Sequence, residues 1–111
     1  MTDGPTWEQS IDFLLDCSDV PHARATAALL EQARDRWRGR VVPRTSMHSL
    51  LFTIPGQPYP FDQSVLVSWT DDVFEFQLVG GGVVQAADRC HEATAPAVLD
   101  AFLAQLVGGE A

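Results

Sequence analysis

Large apolar residues recur along this chain first at helical spacing, then in alternation, then at helical spacing again. Trp7, Ile11, Leu14 and Leu15 fall at i, i+4, i+7 and i+8, one face of a helix. Thr6 with Gln9 three residues on supplies a capping-box start. A second helix is predicted from Asp19-Val20-Pro21 to about Arg38, with Asp19 as cap and Pro21 in the first turn, where its missing N–H costs nothing. Ala25, Leu29, Ala33 and Trp37 form its buried stripe, and Gly39 ends it. Glu31 with Arg34 and Asp35 with Arg38, each three apart, are expected to pair locally.

Alternation then takes over. Met47 to Ile54 reads as a strand, closed by Pro55-Gly56-Gln57-Pro58-Tyr59-Pro60, since three prolines in six residues exclude a central strand. Val65 to Thr70 and Val73 to Val79 read as a hairpin around Asp71-Asp72. That loop sets Trp69 opposite Phe74, Val67 opposite Phe76 and Val65 opposite Leu78, so the large apolar residues share one face, and a slip of one residue destroys the agreement. Gly80-Gly81-Gly82 as a three-residue loop leads into Val83 to Asp88, with Val84 and Ala86 on the inner face. Val41-Val42 adds at most a short edge strand. A last helix runs from Thr94 or Ala95 to Val107, capped by Thr94, with Val98, Leu99, Phe102, Leu103 and Leu106 as its buried stripe and Gly108-Gly109 as its stop.

The predicted order is α-α-β-β-β-β-α. Two N-terminal helices precede a four-stranded antiparallel meander, and a C-terminal helix packs on the sheet, in one α+β domain over residues 1–111. Apolar content of 46% with 20% charged residues is globular composition. No apolar run approaches the roughly 20 residues needed to cross a bilayer. The first five residues lack the basic start and apolar stretch of a secretion signal, which places the protein in the cytoplasm and bound to no membrane.

Charge is unevenly spread. All seven basic residues are arginine, and six lie between Arg24 and Arg44 beside only Glu31 and Asp35. Arg89 alone faces the other thirteen acids, within a net charge of −8. That balance argues against general affinity for nucleic acid. Arg34, Arg38, Arg40 and Arg44 form the candidate basic patch for phosphate, nucleic acid or an acidic partner; the alternative is a solvated helix face. Asp62, Asp71, Asp72, Glu75 and Asp88 form a candidate acidic surface for a basic protein partner, with Tyr59 and Phe61 held stiff between prolines beside it.

The outer sheet face reads as mixed. Leu51, Leu66, Val79 and Val83 stand among Ser49, Ser68, Glu75, Gln77 and Gln85, less polar than a solvated face should be. A helix covers it, or it meets another chain, a second copy included.

Catalytic and cofactor chemistry find little support. Cys17, His22, Cys90 and His91 are ligand types for zinc, but Cys-x4-His and an adjacent Cys-His lack the two spaced pairs of a structural site. His48 falls on the inner strand face. Cys90 and His91 side by side at a strand exit point apart rather than forming a nucleophile and base. Gly80-Gly81-Gly82 joins strand to strand and is a turn, not a phosphate cradle. No cofactor is expected. In size, acidity and layout the chain resembles small bacterial immunity proteins and secretion chaperones, which implies a non-enzymatic protein-binding role. The readings are a module for a basic partner, a dimer joined through the outer sheet face, and phosphate or nucleic-acid binding through the arginines.

Overall fold

A computed structural model describes residues 7–16, 21–46, 49–56, 63–70 and 73–108. Three helices and a five-stranded antiparallel sheet follow one another as α1 (Trp7–Asp16), α2 (Pro21–Trp37), β1 (Val42–Ser46), β2 (Ser49–Thr53), β3 (Gln63–Thr70), β4 (Val73–Gly80), β5 (Val83–Cys90) and α3 (Ala95–Gly108). The sheet order is β1-β2-β3-β4-β5, an uninterrupted meander. The α+β class is as predicted, with five strands in place of four. The added strand is β1, a full partner of β2 from Val42↔Thr53 to Ser46↔Ser49. Pro43 hides it from pattern reading, yet proline is tolerated on an edge strand, where one side of the backbone has no ladder to join.

The β3–β4 hairpin has the predicted register, with Val65↔Leu78, Val67↔Phe76, Trp69↔Phe74 and Thr70↔Val73. Burial alternates along β4, with Phe74, Phe76 and Leu78 buried and their neighbours half-buried. Trp69 meets Phe74 edge-on at 4.6 Å and 85°. Phe76 lies 5.8 Å from Phe102 of α3, the contact that seals sheet to helix. Fully burying one such ring contributes about 1.5–3 kcal/mol.

The next turn differs from expectation. Gly80 pairs with Val83, so the loop is only Gly81-Gly82, both at positive φ (61° and 79°). That geometry suits a tight hairpin whose two central residues are left-handed. A bulge then follows. Val79 pairs with Val84 but Leu78 with Ala86, leaving Gln85 as the extra residue. Ala86 therefore faces inward as predicted, whereas Val84 joins the outer side and is exposed, and Val83 stands opposite inward-facing Gly80. The Gln85 side chain lies over Gly80, where a Cβ would come within 2.7 Å of its amide nitrogen.

All three helices pack on one face. Trp7 of α1 sits 6.0 Å from Phe52, which shares the buried core with Leu50, Val65, Val67, Phe74 and Phe76. α3 lies under β3, β4 and β5, and α2 lies between α1 and α3, with Ala25 and Leu29 beside Phe74. The α1 stripe is narrower than predicted: Trp7, Ser10, Ile11 and Leu14 are buried, while Leu15 is 45% exposed. α1 packs mainly on α2 and β1, with Trp7 reaching Phe52 of β2, and Leu15 lies a quarter-turn from Leu14, off that seam.

The predicted caps Thr6 and Asp19 and the stop residue Gly109 lie outside the described residues; the helix ends at Thr94 and Gly39 follow the reading with one change. The α3 start is at Thr94, whose carbonyl accepts from Val98 N–H at 3.2 Å, but its hydroxyl donates back to the His91 carbonyl at 3.2 Å. Gly39 ends α2 with φ 83°, and the Trp37 carbonyl accepts from both Arg40 and Val41 N–H groups (2.9 and 3.1 Å). No helix among the described residues is long and apolar enough to cross a membrane.

Candidate protein-binding surface

With the helices all on one side, the outer face of the sheet carries no element of this chain among the described residues. Strand register places its side chains in rows. Arg44, Leu51, Leu66, Gln77 and Ala87 follow one another across all five strands. Ser68, Glu75 and Arg89 make a second row, and Ser64, Val79 and Val84 a third. Leu51, Leu66, Val73 and Val79 are half-buried rather than solvated. At the β1 edge, Arg44 Nε donates to Thr53 Oγ1 at 3.4 Å.

Charge on this face is close to balanced. Glu75 lies opposite Arg89, with Nε···Oε2 at 3.8 Å. The acid excess of the chain is carried elsewhere. Asp88 pairs with Phe76 and so belongs to the inner side of β5, where its Oδ1 accepts from Arg89 N–H at 2.8 Å. Glu75 and Asp88 thus stand on opposite faces of the sheet. Tyr59, Phe61, Asp62, Asp71 and Asp72, the other members of the predicted binding set, lie outside the described residues, as do His48 and Cys17.

The four arginines of the predicted basic patch take different positions. Arg34 on α2 and Arg38 just past its end both reach the same Oε2 of Glu8 on α1, Arg34 at 3.9 Å. Neither pairs with Glu31 or Asp35; the α1–α2 hairpin offers a carboxylate across the helix seam instead. Arg40 lies over the Trp37 ring, 4.5 Å from its centroid. Arg44 stands on the sheet. Arg36, outside the predicted set, pairs with Asp100 of α3, whose other oxygen accepts from Trp37 Nε1 at 2.8 Å.

A cleft of ≈ 420 Å³ opens where the start of α1, the α2–β1 turn and the end of β2 meet. Trp7, Val41, Pro43 and Pro55 give it apolar walls, and Glu8 and Arg38 stand at it. Pattern reading placed Trp7 in the core, Val41 in a short edge strand, Pro55 in a loop and Arg38 in the basic patch, and did not bring them together. Only the conjunction of Glu8 with two arginines hints at the site, and their separation in sequence conceals it. Cys90 is a free, half-buried thiol opposite Phe74. Among the described residues no group of three or more His, Cys, Asp or Glu side chains is arranged to hold a metal ion. No protein-family model matches the chain, and neither does any curated protein or solved structure in the comparisons.

Proposed function

We propose that this protein is a non-enzymatic protein-binding module that works through the outer face of its sheet, and that the chain seated there is a second copy. The observation that carries this reading is the one-sided placement of the helices. It leaves Leu51, Leu66, Val73 and Val79 in a face that is less polar than a permanently solvated sheet. Charge favours a second copy as occupant. Two chains of net charge −8 repel, and the outer face, where Glu75 is matched by Arg89, is where that repulsion is least.

The size of the face sets the strength. Five strands at about 4.8 Å spacing and five to eight residues at about 3.4 Å rise give roughly 500 Å² per copy, or roughly 1,000 Å² in total. That is the lower bound for a specific interface and suits a reversible dimer with about micromolar affinity. Its mixed Ser, Gln and Leu surface fits such a non-obligate contact, which is no more apolar than protein surface in general.

A mixture of isotope-labelled and unlabelled protein tests this reading by intermolecular NOE. Contacts between Leu51, Leu66 and Val79 methyl groups of different copies support it. Their absence at millimolar concentration, or contacts confined to the helices, defeats it. Capture of a basic protein by the acid excess is the second reading, favoured by the thirteen acids outside residues 24–44, of which Glu8 pairs with Arg34 and Arg38 and Asp100 with Arg36.

A further inference from the structure

The cleft beside Trp7 lies at the β1 edge, touches the sheet's outer face at Val42 and has its own chemistry. Its ≈ 420 Å³ lies within the span of small-molecule sites, roughly 300–1,000 Å³. Its lining is apolar at Trp7, Val41, Val42, Pro43 and Pro55 and charged at Glu8 and Arg38. At the cleft, Glu8 Oε2 is shared by Arg34 and Arg38. One carboxylate is shared by two guanidiniums, so neither arginine has a carboxylate to itself in this ion pair. Gly39 at φ 83° has nothing within 4 Å of where a Cβ would stand, which keeps the approach beside Arg38 open.

We infer that this cleft binds a small apolar monocarboxylate. The apolar body lies against Trp7, Val41, Pro43 and Pro55, and the carboxylate meets the Arg38 guanidinium, whose planar donor fork suits a carboxylate in two-point contact. Glu8 orients Arg38 and limits its affinity for anions, because a bound carboxylate competes with Glu8 for the same donors. A neutral ligand of the same shape gains the apolar contact and lacks the charge-assisted one.

The test uses 2-naphthoate and its neutral isostere 2-naphthamide, titrated into ¹⁵N-labelled protein. The expected result is shifts at the Gly39, Val41 and Val42 amides and the Trp7 indole, with naphthoate binding about tenfold tighter, the gain of a single charge-assisted hydrogen bond. Arg38→Gln should abolish the preference for the acid while leaving the amide's affinity unchanged, since the remaining Arg34 is matched by Glu8. Glu8→Gln should raise the preference by freeing both arginines. Equal binding of acid and amide, shifts centred elsewhere, no response at several millimolar, or an acid preference that survives Arg38→Gln would each overturn the assignment. All the substituted side chains are at least half exposed, so both variants should keep the wild-type spectrum outside the cleft.

Discussion

Trp37 Nε1 donates to Asp100 Oδ1 at 2.8 Å, joining the last residue of α2 to the middle of α3 across 63 residues of sequence. Trp37 is 4% exposed, so its indole N–H needs a partner inside the protein, and Asp100 supplies a charged one. The bond fixes α2 against α3 and thereby completes the layer that covers the sheet. Asp100→Ala should destabilise the fold by about 1–3 kcal/mol, because the buried indole donor loses its acceptor. Arg36→Ala, which removes the other partner of Asp100, should cost less than about 1 kcal/mol, since that guanidinium is mostly exposed. Urea unfolding of the two variants gives the comparison, and equal losses would contradict this account of the pair.

Leu14 and Leu15 separate pattern from packing. Both fit the apolar stripe of α1, yet Leu14 is fully buried and Leu15 is 45% exposed. Leu14→Ala should cost about 2–5 kcal/mol by opening a cavity, and Leu15→Ala should stay within about 0.5 kcal/mol of wild type. Thermal unfolding followed by circular dichroism distinguishes them. Similar losses in the two would mean that α1 buries a wider face.

The Gly81-Gly82 turn gives a prediction with opposite signs at one position. With both residues left-handed, Gly81→Asn keeps an Asn-Gly sequence suited to this hairpin and should leave stability unchanged or raise it by up to about 1 kcal/mol through the unfolded chain. Gly81→Val should lower it by about 1–2 kcal/mol, since a β-branched residue resists positive φ. The midpoints of denaturant unfolding report both. A three-residue loop would reverse neither sign as cleanly, because only one of its residues need be left-handed.

What the chain reveals before folding follows from where one interaction dominates. The β3–β4 register was legible because Trp69, Phe74, Phe76 and Leu78 leave a single pairing that buries them together. Thr94 and Gly39 were legible because helix ends demand particular backbone chemistry. β1 was not, since its pairing with β2 comes from backbone ladder bonds around Pro43 and from no alternation of its own. The bulge at Gln85 was hidden for a related reason. Two-residue and three-residue glycine loops differ by one position, and both leave Ala86 on the inner face once the bulge at Gln85 is counted, so the alternation of β5 does not separate them. At the cleft, Glu8 and Arg38 are 30 positions apart, and no local rule prefers that pairing over Asp35 with Arg38.

The outer sheet face is the centre of the proposal, and the dependence of molecular mass on concentration and salt probes it most directly. From about 0.01 M to about 0.15 M ionic strength the screening length falls from roughly 30 Å to roughly 8 Å, which weakens repulsion between acidic copies without loosening their apolar contact. Sedimentation equilibrium should show a reversible dimer that tightens over that range, and Leu66→Glu, which places a charge in the central row of the face, should leave a folded monomer under every condition. A wild-type protein that keeps the mass of one chain into the hundreds of micromolar range at both salts, or a dimer indifferent to Leu66→Glu, would contradict the account.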